Sequence, residues 1–176
     1  MAGISIIGIG NVLMGDDAFG AHVVKVLEAG YRFPPEVELV EAGTPGLDLT
    51  LRIAGLDALL VVDAVRAQGA PGEIRFFDKA QITEHPSGPV LSPHEPGLRE
   101  ALLTLDFRGE APREVRLVGV VPASVEFGIG LSAPVRSAVP RAVRSVLAEL
   151  SRLGVAAEER VPAAEPDLWW ERRPVG

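Results

Sequence analysis

Hydrophobic positions along this chain fall into segments of two kinds. Residues 3–9, GISIIGI, are nearly continuous in apolar side chains and run into glycine, which predicts a strand buried on both faces. From Asp17 to Ala29, Phe19, Val23, Val26 and Leu27 return at helical spacing, with Gly30 placed to end the helix. VELVEAG (37–43) predicts a second strand, GTPG (43–46) a turn, and LDLTLRIAG (47–55) a short helix stopped by Gly55. ALLVVDAV (58–65) is a third buried strand and EIRFFD (73–78) a fourth. Only RAQGAPG, with its tight AQGAPG turn, separates these two, too few residues for a crossover helix, so the pair is expected to run antiparallel or to pair loosely.

Residues 79–91 have no period and contain Pro86, Gly88 and Pro89, so they predict a loop. Ser92 is a candidate N-cap for a helix over 92–105, with Pro93 at its first position. Pro96 and Gly97 make that first turn irregular and place the regular helix nearer Leu98. EVRLVGVVP (114–122) predicts the fifth strand. Over 135–154, Val135, Val139, Val143, Val146, Leu150 and Leu153 share one stripe of a helix in which Pro140 marks an expected kink. After Gly154 the period stops. Residues 1–154 read as one domain without repeats, and 155–176 as a flexible tail, in which the Trp169–Trp170 pair either frays with the terminus or docks on the domain or a partner.

Composition narrows the function. A chain of 176 residues with 47% hydrophobic but only 5% aromatic content, 19 Gly and 15 Pro describes an aliphatic α/β core divided by many turns. A net charge of −7 offers no basic footprint, so neither nucleic acid nor a membrane surface is expected as a partner. The absence of cysteine removes disulfides, thiolate nucleophiles and cysteine-ligated metals, and fits the cytoplasm. MAGISIIGIGN lacks a basic leader, and no apolar run approaches 18 residues, so the chain is read as soluble and untargeted.

Candidate chemistry begins at GIGNVLMGDDAFG, residues 8–20. It opens like a dinucleotide-binding loop, but after Gly8 and Gly10 the next glycine is Gly15. Asp16 and Asp17 then stand where a phosphate would lie, so the loop repels an anion. One of these aspartates suffices to cap the following helix, leaving the other to face the crevice beyond the strand ends. Asp63 ends the apolar run LLVVD and so emerges at the carboxyl edge of a central strand, where open α/β sheets place their ligands. By itself it could equally form a turn. If the first and third strands are neighbours, Asp17 and Asp63 converge. His94, in SPHEPG at a helix start, is the third candidate, because a helix N-terminus favours the neutral imidazole that a metal needs. His22 and His85 have no such context. Two carboxylates and one imidazole form an incomplete shell for a divalent transition ion, open to substrate or water.

GIGNVLMGDDAFG, EAGTPG, LLVVDAV, LSPHEPGL and LVGVVPASVEFGIGLS, in this order and spacing, resemble the hydrogenase maturation endopeptidase family over residues 3–153. The resemblance implies a three-layer α/β/α sandwich with a mixed five-stranded sheet of order 2-1-3-5-4, the fourth strand antiparallel. It implies a metal site at Asp17, Asp63 and His94, which also act in catalysis, with Gly43 and Thr44 shaping the substrate-binding loop beside it. The family's GGT turn stands here as Ala42-Gly43-Thr44, with its first glycine lost, and Asp17 occupies a position that takes either acid. The implied activity is removal of a C-terminal extension from the large-subunit precursor of a nickel-iron hydrogenase once nickel is inserted. Nickel would come with the precursor, and zinc or cadmium could occupy the same site. No G-x-S-x-G elbow and no thiol is present for a covalent route. Two other functions use the same residues: a sensor of metal loading that does not cut, and another metallohydrolase or exopeptidase on this fold. The latter normally wants more ligands than this histidine-poor chain offers.

Overall fold

The computed structural model describes residues 3–43, 48–84 and 93–172. Its elements in chain order are β1 (Ile4–Ile9), a 3-10 turn (Gly15–Ala18), α1 (Phe19–Gly30), β2 (Tyr31–Arg32), β3 (Val37–Gly43), α2 (Asp48–Ile53) and β4 (Ala58–Ala64). There follow β5 (Ile74–Asp78), α3 (Lys79–Thr83), α4 (Glu95–Arg108), β6 (Glu114–Val120), α5 (Ala133–Arg152), β7 (Glu158–Glu159) and a final 3-10 turn (Trp169–Glu171). Five strands form the main sheet in the order β3-β1-β4-β6-β5. Counted among those five, this is 2-1-3-5-4. β1 is parallel to β3 and β4, β4 is parallel to β6, and β5 alone runs antiparallel, against β6.

Period-two alternation sorts the strand residues into two cores. Ile4 and Ile6, Leu60 and Val62, and Val118 and Val120 face one side, where Phe19, Val23 and Leu27 of α1 and the Val135, Val139, Val143, Val146 and Leu150 stripe of α5 cover them. Ile7 and Ile9, Leu59 and Val61, and Val115 and Leu117 face the other, under Leu49 and Ile53 of α2, Ile82 of α3 and Leu98, Leu102 and Leu105 of α4. The result is the three-layer α/β/α sandwich. α1 lies unusually close to the sheet at its first turn. A Cβ on Gly20 would stand 2.3 Å from the Val62 carbonyl oxygen and 2.4 Å from that of Ile9, so only glycine fits there.

Several expectations are revised. The connection between β4 and β5 is tight, yet the two do not pair, because β6 inserts between them and takes β5 as its antiparallel neighbour. Residues 79–83, expected in a loop, form α3. Asp78 accepts the Gln81 N–H while the Gln81 side chain accepts the Asp78 N–H, a capping box that nucleates even this short helix. α4 begins at Glu95 with His94 as N-cap, so Pro96 and Gly97 lie inside its first turn, where a missing N–H costs nothing. Pro140 is carried within α5, which continues to Arg152.

The chain after Gly154, read as a flexible tail, lies against the body as far as Arg172. β7 pairs with β2, Arg160 N–H donates to the Gly30 carbonyl at 2.7 Å, and Ala164 N–H donates to that of Ala29 at 3.0 Å. These two donors satisfy carbonyls that the end of α1 would otherwise leave open. Trp170 is only 4% exposed, while Trp169 projects from the surface. Thr44, His85 and Ser92 lie outside the described residues.

Candidate metal centre

The carboxyl edge of the sheet is where the named side chains gather. β1 leads through Gly10 into the turn that precedes α1. Gly10 takes φ +134°, and a Cβ there would fall 1.8 Å from the Asp17 carbonyl oxygen. A glycine is therefore required for the Asp17 turn to fold back onto the strand end. Gly10 N–H donates to the Gly43 carbonyl at 2.8 Å, which ties the end of β3 to this turn. Gly43 itself takes φ +58° with open space around it.

The two aspartates separate. Asp16, 1% exposed, lies outside the cluster and accepts four hydrogen bonds: Ala123 N–H at 2.7 Å, Ser124 N–H at 3.1 Å, Ser132 N–H at 2.7 Å and the Ser132 hydroxyl at 2.9 Å. It caps no helix of its own. It staples the Gly15–Ala18 turn to the loop between β6 and α5, a role that sequence spacing does not announce because its partners lie more than 100 residues away. Asp17 accepts the Asn11 N–H on Oδ2 at 2.7 Å and faces the crevice. Asp63, at the end of β4, accepts the Ala64 N–H on Oδ1 at 2.8 Å. β4 is the direct neighbour of β1, so the two acids are brought together as the strand order requires.

His94 completes the cluster from the start of α4. Its Nδ1 lies 3.4 Å from Asp63 Oδ1, and its Nε2 lies 3.7 Å from Asp17 Oδ2. One ligand atom from each of Asp17, Asp63 and His94 falls within 4.8 Å of the others. All three residues are largely buried. Burial disfavours a charged ring, but the hydrogen bond and charge of Asp63, with the charge of Asp17, outweigh it, and the His94 pKa lies above its ordinary value. The helix N-terminus was expected to lower it. Two carboxylates at contact distance are stronger than the partial charge of one helix end.

Two oxygens and one imidazole nitrogen at these separations suit an ion bound at about 2.0–2.2 Å, since ligands of one ion then lie roughly 3–4.4 Å apart. The donor chemistry fits nickel or zinc better than calcium or magnesium, which prefer all-oxygen shells. His22, which the spacing left without a role, is a buried residue of α1 and does not join this cluster.

A family model described as "Hydrogenase maturation protease" matches residues 21–149, a span that includes Asp63 and His94 and begins after Asp17. The chain is 37% identical to the hydrogenase 2 maturation protease of Escherichia coli strain K12 over 158 residues, 89% of this chain and 96% of that one. It is 39% identical to the hydrogenase expression/formation protein HupM of Azotobacter chroococcum mcd 1 over 163 residues, 92% of this chain and 78% of that protein. Its fold is similar to the solved hydrogenase maturating endopeptidase HybD from E. coli, with a TM-score of 0.85 and 36% identity, covering 92% of this chain and 99% of that one. The [NiFe] hydrogenase maturation protease HybD from Thermococcus kodakarensis aligns with a TM-score of 0.66 at 27% identity, over 82% of this chain and 96% of that one.

Proposed function

The chain belongs to the hydrogenase maturation protease family, and on that footing we propose that it recognises the nickel carried by a hydrogenase large-subunit precursor through Asp17, Asp63 and His94, then removes the precursor's C-terminal extension. The observation that carries this reading is the convergence of those three side chains, each from a different element, within 4.8 Å. Nickel in this reading is part of the substrate, and zinc or cadmium would compete for the same donors. A divalent ion held there by Asp17, Asp63 and His94 would orient the precursor chain, and it could supply a Lewis acid to a neighbouring carbonyl or activate a water.

The protein's own residues prepare that encounter. The Asn11 and Ala64 N–H groups each hold one carboxylate oxygen, fixing the direction of Asp17 and Asp63 before substrate arrives. His94, between two acids, keeps its proton to a higher pH than an ordinary histidine, and that proton must leave before its nitrogen can hold an ion. Gly43 and Thr44 are proposed to border the bound peptide; Gly43 is tied by its carbonyl to Gly10 beside the site. No helix among the described residues is long and apolar enough to cross a membrane. The cytoplasm is the compartment we propose, on the cysteine-free composition.

Nickel-loaded and nickel-free precursors, each incubated with the unmodified protein and with His94→Ala, and weighed by intact mass spectrometry, test the proposal. Only the nickel-loaded precursor with unmodified protein should lose its extension. Efficient trimming of the nickel-free precursor overturns metal recognition but leaves the peptidase. Trimming by His94→Ala removes His94 from the site. Capture of the loaded precursor without any cleavage would instead favour a sensor of metal loading.

A further inference from the structure

We propose that the exposed apolar rim formed by Leu13, Phe127 and Ile129 is the surface on which the precursor polypeptide docks; this rests on the reading that the adjoining cluster serves a protein substrate. The rim is one backbone unit built from two distant segments. Met14 and Gly128 form a parallel bridge, Gly128 N–H donates to the Leu13 carbonyl at 2.9 Å, and Gly15 N–H donates to the Gly128 carbonyl at 2.8 Å. Leu13 flanks one member of the bridge, while Phe127 and Ile129 flank the other. Their exposures are 43%, 82% and 60%. Three large apolar side chains around one backbone bridge are a concentration of wet hydrophobic surface of the kind that marks an interaction site.

The rim is continuous with the metal cluster, which selects its occupant. Asn11 donates its N–H to Asp17 Oδ2 and accepts the Leu13 N–H on its own Oδ1 at 3.0 Å, so one residue links a metal-site carboxylate to the rim. Asp16, adjacent to Asp17, holds Ala123, Ser124 and Ser132 and so fixes both ends of the loop that carries Phe127 and Ile129. A polypeptide whose scissile bond lies at the cluster therefore has this rim on the adjoining turn. Gly128 supplies an open floor between Phe127 and Ile129: a Cβ built on it meets nothing nearer than 4.0 Å, and its φ lies outside the left-handed region. The only charged side chain in residues 121–132 is Glu126. The occupant is therefore an extended, predominantly apolar segment of the precursor next to the scissile bond, whose backbone approaches over Gly128.

Two changes of opposite sense test this. Phe127→Ser with Ile129→Ser strips the rim, and Gly128→Val fills its floor from a Cβ position that meets nothing nearer than 4.0 Å. Both variants should keep the melting temperature and the nickel affinity of the free protein. On nickel-loaded precursor, each should raise KM about tenfold or more while kcat stays within about twofold, the pattern of lost substrate binding. Unchanged KM in both, with or without a fall in kcat, overturns the proposal; if one variant melts early, the other decides. Precursor binding to Asp63→Asn, with and without the rim changes, separates this proposal from the parent reading. Loss of binding on altering the rim supports docking even if no cleavage is ever seen, and equal binding overturns it.

Discussion

The carboxylate of Asp16 is enclosed by three backbone N–H groups and the Ser132 hydroxyl, whereas that of Asp17 meets the Asn11 N–H and the His94 ring. Neighbouring residues of one chemistry therefore serve different ends, and substitution should tell them apart. Asp16→Ala leaves four partly buried donors without their acceptor, each worth up to about 1–3 kcal/mol, so we expect a loss of roughly 3 kcal/mol in urea denaturation. Asp17→Asn keeps an oxygen for Asn11 and should cost less than about 1.5 kcal/mol, yet lower nickel affinity at least about tenfold by calorimetry, since a neutral amide is a poor ligand. Equal destabilisation by the two changes would falsify the division of labour. Aspartate tandems are easy to see in a sequence. Which member is structural depends on backbone donors supplied from residues 123–132 and cannot be read from the tandem itself.

Elements that looked weakest in the sequence turn out to be joined by long-range hydrogen bonds. β2 and β7 have two residues each and no hydrophobic signature, but they pair where the C-terminal segment crosses the end of α1. Beyond that pairing, Trp170 is buried, and Glu171 bonds Arg136 of α5 at 2.9 Å and lies 4.0 Å from His22. Trp170→Ala should release this segment without unfolding the sandwich, because its cost is capped by the free energy of docking a strap that the two cores do not need. Limited proteolysis should then cut between residues 155 and 172 while the melting temperature of the body falls by only a few degrees. A truncated Trp side chain in a true core costs about 3–5 kcal/mol; a loss of that size in global unfolding would make the segment part of the core instead.

Across the whole molecule, two histidines tilt stability in opposite directions with pH. His22 is buried and stands near Arg136; burial first and that charge second lower its pKa, against the smaller pull of Glu171. Its folded pKa is below the unfolded value of about 6.5, so its contribution is complete above that value and is lost as pH falls through the folded pKa. His94 has a raised pKa in the metal-free protein. Its contribution is complete below about pH 6.5 and is lost as pH rises through the folded value. Thermal unfolding of the metal-free protein across pH 5–8 should show His22→Leu flattening the acid limb and His94→Ala flattening the other. Nickel affinity should weaken on acidification from a point above the ordinary histidine range, since the ion displaces a proton that two carboxylates hold. Affinity that stays constant down to about pH 6 would contradict the raised pKa.

Period, glycine and local capping were enough to predict the α/β class, all five strands of the sheet and the long helices, because those signals depend on which face of an element meets water. The resemblance of five motifs supplied the strand order. Candidate ligands at Asp17, Asp63 and His94 were legible for a related reason: each closes an apolar run or opens a helix, and parallel α/β topology sends those junctions to one edge. The capping box of α3 and the docking of residues 155–172 were decided only in three dimensions. Each depends on groups that meet across the fold, or on a few local hydrogen bonds too short in span to leave a period. The charge state of His94 belongs with them. Its place in the sequence indicates a helix terminus that favours a neutral ring; the fold puts Asp63 and Asp17 within 3.4 and 3.7 Å, and at that range two negative charges outweigh a helix end and the cost of burial together.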